Sequence, residues 1–163
     1  MRPTPIPSGP GQESGWDYPR TPALVADDRE VVIRLDGTEV ARTRHAYRVL
    51  ETSHPPTWYL PPDDVDRSLL EPGRGSSICE WKGRATYWDL VVGDRRLENV
   101  AWSVPQPTAR FRPIAGHLAF YPAELDITVG GVPVEPQPGG FYGGWITPEV
   151  VGPFKGGPGS WGW

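Results

Sequence analysis

One short stretch of the chain, residues 79–89, places a thiol, an amine and three aromatic rings close together. The chain's single cysteine, Cys79, precedes Lys82 by three residues. A thiol beside a cation can become a nucleophile because its pKa falls. A carboxylate elsewhere, Glu51 or Asp89, could accept the proton. The pattern indicates an enzyme that works without a cofactor, with Cys79 as nucleophile, Lys82 as electrostatic stabiliser and Glu51 as base.

The same residues also permit a structural interpretation. A lone cysteine is among the most buried residue types and packs as a small apolar side chain. Lys82 and Gly83 would then form a charged turn, and Glu51 with Arg48 would form a surface ion pair of little energetic value. Both interpretations stay open at the level of the sequence.

Aromatic rings give a second candidate site. We predict that a small apolar or heteroaromatic molecule binds in one concave pocket, because rings with a few polar groups line such sites. Alternation along a strand places Tyr87 and Trp88 on opposite faces, whereas Trp81 and Tyr87 flank a turn and can face the same side. The alternative is that the rings only fill the core. The predicted ligand-binding residues are Arg48, Tyr59, Trp81, Tyr87 and Trp102.

Metal and phosphate sites are not indicated. The three histidines and Cys79 lack the spacing of zinc ligands. The acidic run at residues 63–66 lacks the glycine and the distal glutamate of a calcium loop. The glycine-rich segment 152–159 lacks the residue order of a phosphate-binding loop. We therefore expect no metal and no cofactor.

Composition restricts the partners. The net charge is −4, and no basic block is present that would bind a nucleic-acid backbone. No apolar run is long enough to cross a membrane, and the first residues lack the apolar stretch of a signal peptide. We expect a cytoplasmic protein that binds a small molecule and neither nucleic acid nor a membrane, and we leave a homodimer open.

Hydrophobic alternation predicts that strands position these side chains. Apolar residues alternate along residues 30–35, Asp36-Gly37 suits a type I′ turn, and a return strand follows at 38–43. Further strands are predicted at 45–52, 57–60, 78–81, 85–92, 96–102 and, as a last hairpin, 125–134. Short helices are predicted at 63–70 and 114–121, and a loop at 73–77. The predicted fold class is mainly β, a single domain with one or two short helices.

Segments rich in proline and glycine flank the predicted strands. We divide the chain into an extended N-terminal arm over residues 1–29, a β-rich core domain over 30–135 and a C-terminal extension over 136–163. The extension carries more large apolar side chains than a disordered tail holds, so we predict that it packs on the core. Whether it covers the pocket of its own chain or of a neighbour stays open.

Several separate motifs resemble one known family. They lie at residues 48–52, 58–65, 70–72, 79–88, 101–105 and 114–121, and include Trp58-Tyr59-Leu60-Pro61-Pro62 and Cys79-Glu80-Trp81-Lys82-Gly83. In this order they resemble the domain-of-unknown-function 427 family. The tail motifs at 139–146 and 151–156 resemble a long subtype found in actinobacteria.

The resemblance implies a fold and little about activity. The family is similar in architecture to the compact Mss4-like or β-tent folds, many of which hold zinc through two Cys-x-x-Cys pairs. This chain has one cysteine and cannot form such a site. The family has also carried a nucleotidyltransferase label, but Asp36 and Asp126 fall in no Gly-Ser and Asp-x-Asp arrangement that would support it.

Overall fold

The computed structural model describes residues 2–79 and 81–163, and their regular structure is almost entirely β. The strands are β1 Glu13–Ser14, β2 Ala23–Asp27, β3 Val31–Leu35, β4 Thr38–Thr43, β5 Ala46–Leu50, β6 Thr57–Tyr59, β7 Leu70–Cys79, β8 Gly83–Val92, β9 Arg95–Ser103, β10 Leu118–Phe120, β11 Asp126–Val129, β12 Val132–Pro133, β13 Glu135–Pro136, β14 Trp145–Ile146 and β15 Val150–Val151. Short 3₁₀ turns lie at Gly15–Asp17, Pro62–Asp64, Arg67–Leu69 and Ala109–Ile114. The predicted class, mainly β with minor helix, is confirmed.

Two positions named in the sequence predictions lie outside the described residues: Met1 in the predicted arm and Glu80 in the predicted strand 78–81. Within the described ranges, no helix has the length and the apolar character needed to cross a membrane.

Two of the sheets are joined edge to edge into one surface, which we call the joined sheet. The antiparallel sheet β10-β9-β8-β7 meets the three-stranded sheet β2-β5-β6 because Leu60, directly after β6, exchanges two backbone hydrogen bonds of 2.8 Å with Leu118. A second four-stranded sheet, β12-β11-β3-β4, packs on one face of the joined sheet. Its predicted hairpin is confirmed, with Asp36 and Gly37 at the positive φ values (50° and 83°) that a type I′ turn requires.

The two faces of the joined sheet contact different groups of side chains. Trp58 and Leu60 point into the main core, which lies between the joined sheet and the second four-stranded sheet. Tyr59, between them in sequence, faces the opposite way and packs with Val49 and Phe111 in a separate cluster. Successive side chains of a strand alternate between faces, so this alternation decides which side chains reach the site described below.

The C-terminal extension packs against the rest of the chain. Trp145 is fully buried, stacks on Trp58 with ring centroids 5.7 Å apart, and donates its indole N–H to the Phe120 carbonyl at 2.8 Å. β15 pairs with β1, and β14 pairs with β13. The boundaries drawn between arm, core and extension stay a prediction, although β2, inside the predicted arm, pairs with β5 along its whole length.

Local predictions fail at three places. Residues 73–77 belong to β7 rather than to a loop, because a bulge between Pro72 and Ser76 lets the glycines stay in the strand. The predicted helix 63–70 is a pair of 3₁₀ turns. The predicted helix 114–121 is interrupted by Gly116 at a φ of 69°, and β10 follows. Every side chain of β10 is buried, and a short apolar run has no period that distinguishes a strand from a helix.

Candidate functional site

A cavity of about 650 Å³ lies on the face of the joined sheet that points away from the main core. Its floor consists of side chains two residues apart on or beside neighbouring strands, so both members of each pair point to the same face. These pairs are Val49 and Glu51, Thr57 and Tyr59, Ser77 and Cys79, Ala85 and Tyr87, and Trp102 and Val104. The C-terminal extension supplies a second side, the C-terminal wall, formed by Gln137, Gly140, Phe141, Tyr142, Gly143 and Lys155.

The cavity brings together the residues that the sequence suggests for catalysis and those that it suggests for binding. Its lining includes Cys79, Lys82, Glu51, Tyr59, Trp81, Tyr87 and Trp102. Cys79 is a free, half-buried thiol. Trp88 packs against the main core on the other face, as the alternation with Tyr87 predicts. The C-terminal extension lines the cavity of its own chain.

Arg48 lies elsewhere. It lines an open, charged depression of about 980 Å³, where its guanidinium contacts the carboxylates of Glu13 and Asp27, with Nε 3.2 Å from Asp27 Oδ2. Arg48 directly precedes Val49, so strand alternation turns it away from the rings. The structure therefore corrects the place predicted for Arg48, which neither joins the aromatic residues nor pairs with Glu51.

The rings of the floor hold one another in place. Tyr59 is fully buried, and its hydroxyl accepts the indole N–H of Trp102 at 3.1 Å. The Trp102 ring is perpendicular to Tyr59, with centroids 6.3 Å apart, and packs on Tyr121 at 4.7 Å. The Tyr87 hydroxyl donates to Ser77 Oγ at 2.9 Å. The floor is therefore a preformed aromatic surface.

One end of the cavity carries charge. Lys82 Nζ lies 5.6 Å from the ring centroid of Tyr59, and Lys155 Nζ lies 5.9 Å from that of Tyr142, so each ammonium makes a cation–π contact. Burial acts to lower the pKa of Lys82, but Tyr59, Cys79 and Glu51 outweigh it and raise that pKa above its usual value. Burial raises the pKa of Glu51, and the two ammonium groups partly offset this rise.

A glutamine fixes the tautomer of a histidine at the same end. The Oε1 atom of Gln137 accepts the backbone N–H of Gly144 at 3.2 Å, and its Nε2 donates to the Lys155 carbonyl at 2.7 Å. These two backbone groups determine the orientation of the amide, so Nε2 is also the donor in its 2.9 Å contact with His54 Nδ1. The proton of neutral His54 therefore sits on Nε2, which lies 4.0 Å from Glu51 Oε2.

His54 stays neutral at pH 7. Burial, reinforced by the nearby ammonium groups of Lys155 and Lys82, lowers the pKa of His54 to about 4. Its ring also contacts the ring of Tyr142 edge to face, with centroids 4.7 Å apart. The side chain thus presents a fixed imidazole N–H toward Glu51 and carries no charge.

Sequence reasoning allowed the extension to cover the pocket but assigned neither Tyr121 nor the wall residues Gln137, Tyr142 and Lys155 to the site. It finds no partner for His54 because Gln137 is 83 residues away. The floor did carry a usable signal, since residues two apart on each predicted strand share a face. The wall carries no such signal, because its residues lie in irregular backbone.

The arrangement offers a thiol, two ammonium groups, a carboxylate and a neutral imidazole beside a wide ring surface. It can hold a flat molecule, and it places a nucleophile, a cation and a base in one cavity.

No curated protein matches the chain. A family model described as a domain of unknown function, DUF427, matches residues 23–131, which are 109 of the 163 residues. This match contains the floor of the cavity and ends before the C-terminal wall. The chain therefore belongs to the family described as domain of unknown function DUF427.

Proposed function

We propose that this protein binds a small flat molecule, apolar or heteroaromatic, in the aromatic cavity. The observation that carries this proposal is that Tyr59, Tyr87, Trp81 and Trp102 line a single cavity of about 650 Å³. Small-molecule sites typically measure about 300–1,000 Å³ and combine apolar rings with a few polar groups. The cavity has this size and this composition.

The state of the rings supports the same function. Tyr59, Trp102 and Tyr121 are already packed together, and Tyr87 is held by Ser77. A surface that is ordered before binding loses little conformational entropy when a ligand arrives. Each ring contact with the ligand then contributes about 0.5–1.5 kcal/mol beyond the buried area.

A cofactor-independent enzyme is the second candidate function. It is favoured by one observation, that Cys79, Lys82 and Glu51 line the same cavity although Glu51 is far from the other two in sequence. In this function Lys82 stabilises the thiolate of Cys79, and Glu51 accepts the proton. We rank binding first because it requires only the ring surface.

Finer assignments are proposals as well. They are the long actinobacterial subtype, the Mss4-like or β-tent architecture, a cytoplasmic location and a homodimer. The subtype is supported by the C-terminal wall, which lies beyond the residues that the family model matches.

Ligand screening by thermal shift tests the binding function. We expect at least one compound from a panel of naphthalene, quinoline and indole derivatives to raise the melting temperature, because a ligand that binds only the folded state stabilises it. Tyr87→Leu should reduce the affinity for that compound by up to about tenfold, which corresponds to the loss of one ring contact.

Trp163→Leu is the matched control. Trp163 packs on Trp16, with centroids 5.8 Å apart, and does not line the cavity. This variant should bind as the wild-type protein does. A Tyr87→Leu protein that melts like the wild type and binds the same compounds equally well would count against the proposal, as would a panel without any stabilising compound.

A further inference from the structure

Both lysines of the chain line the aromatic cavity. The sequence contains fourteen arginines and only two lysines, Lys82 and Lys155. The arginines do not line this cavity. Arg29 and Arg48, for example, form ion pairs with Asp27 beside the charged depression. An ammonium is a compact point charge on a flexible stem, whereas a guanidinium is a planar fork. Both of the chain's compact cations therefore lie at this aromatic cavity.

The two ammonium groups already occupy tyrosine faces. Lys82 lies over Tyr59, and Lys155 lies over Tyr142. Aromatic faces of this kind bind cationic ligands such as quaternary ammonium groups when they are empty. Here a cationic ligand would meet rings that hold the protein's own cations, and it would be repelled by like charge. The geometry disfavours a cation and favours an anion.

The charges at this end are not balanced by the described lining residues. Their basic and acidic side chains are Lys82, Lys155 and Glu51, while His54 is neutral. Lys82 stays protonated because its pKa is raised: Tyr59, Cys79 and Glu51 outweigh burial. Both ammonium groups also act on the pKa values of Glu51 and His54, which indicates that all four groups share one end of the cavity. With one carboxylate against two ammonium groups, a single further negative charge completes the balance.

We propose that the ligand is a flat aromatic or heteroaromatic monocarboxylate, with its ring on the floor and its carboxylate bound by Lys82 and Lys155. This inference rests on the proposed binding function, because it names the class of molecule for the same cavity. The ring lies against Tyr87 and Trp102, and the two ammonium groups donate charge-assisted hydrogen bonds to the carboxylate oxygens.

Three naphthalene compounds that differ only in the charge of the head group test the inference: 2-naphthoate, 2-naphthamide and 2-naphthylmethylammonium. Calorimetric titration at pH 7 should show that the naphthoate binds the wild-type protein at least about tenfold more tightly than the amide, because hydrogen bonds to charged groups are worth more than neutral ones. The ammonium compound should bind more weakly than the amide. Lys82→Met and Lys155→Met should each reduce the preference for the naphthoate.

Arg112→Met is the matched control, since it removes an exposed positive charge outside the cavity and should leave the preference unchanged. A second measurement does not depend on the folding of the variants. In wild-type protein labelled with ¹³C-lysine, two side chains give signals, and the naphthoate should shift both of them whereas the amide should not.

The outcomes separate the two proposals. A preference for the naphthoate that both lysine variants reduce, or paired shifts of both lysine signals, supports the inference. If the amide or the ammonium compound binds as tightly as the naphthoate, the cavity binds flat rings but the inference is overturned. If none of the three compounds binds, both the inference and a binding function for this ring class are overturned.

Discussion

Replacing Gly143 by alanine should loosen the C-terminal wall from the floor of the cavity. A Cβ atom on Gly143 would lie 2.2 Å from Trp102 Cη2 and 2.8 Å from Cζ3, well inside van der Waals contact. The Trp102 ring has little freedom to retreat, because Tyr59 accepts its N–H at 3.1 Å and Tyr121 packs on it with centroids 4.7 Å apart. Added methyl groups in such packed positions cost about 1–3 kcal/mol.

Urea unfolding and thermal melting measure this cost. For a chain of 163 residues, a loss of 1 kcal/mol lowers the melting temperature by about 2–4 °C. We therefore expect Gly143→Ala to melt roughly 2–12 °C below the wild-type protein. Its tryptophan emission should move to longer wavelength, because Trp102 becomes more exposed to water as the wall loosens.

Gly162→Ala is the control within the same extension. A Cβ atom on Gly162 would meet no other heavy atom within 4 Å, and its φ lies outside the left-handed region. Surface substitutions of this kind change stability by no more than about 0.5 kcal/mol. If Gly143→Ala proves as stable as Gly162→Ala and keeps the wild-type wavelength of tryptophan emission, residue 143 does not pack against Trp102. That result would refute the contact between wall and floor.

Two further predictions concern titration and reactivity in the cavity. The pKa of His54 is about 4 in the fold and about 6.5 when unfolded, so stability should fall as the pH drops through this window, by roughly 2–3 kcal/mol at pH 4.5. Urea unfolding at pH 7 and at pH 4.5 should show that His54→Asn loses less unfolding free energy over this range than the wild-type protein. Glu51, whose pKa is raised, gains stability as the pH falls and does so in both proteins. Equal losses of unfolding free energy in the two proteins would contradict the assignment to His54. If Cys79 is a nucleophile, iodoacetamide should alkylate it in the native protein at pH 7, and Lys82→Met should slow this reaction because the thiolate loses its neighbouring cation. A reaction seen only after unfolding removes Cys79 from any mechanism, and the readout by mass is unambiguous because the chain has a single thiol.

The part of the site built on strands could be predicted, and the part built on the extension could not. The opposite placement of Tyr87 and Trp88 follows from the period of a strand, and the same rule places Arg48 away from Val49. The prediction that groups Arg48 with the rings is therefore wrong, because Arg48 lines the charged depression instead. The pairing of Gln137 with His54 depends on how a long irregular segment returns to the sheet, and no local pattern encodes that path. A short apolar strand such as β10 is ambiguous for a different reason, because it is buried on both faces and shows no alternation.

The C-terminal wall and the main core cannot be separated by truncation. The same extension that provides Lys155 and Gln137 to the cavity also places Trp145 on Trp58 in the main core, where its indole N–H is bonded to Phe120. Removing the extension would delete a fully buried tryptophan, and large-to-small changes of that kind cost about 3–5 kcal/mol. If a truncated chain fails to bind, the cause could therefore be a damaged core as readily as a missing wall. A single substitution at the contact between wall and floor, where Gly143 faces Trp102, changes the cavity but leaves Trp145 in place. Such substitutions therefore decide whether the extension takes part in binding.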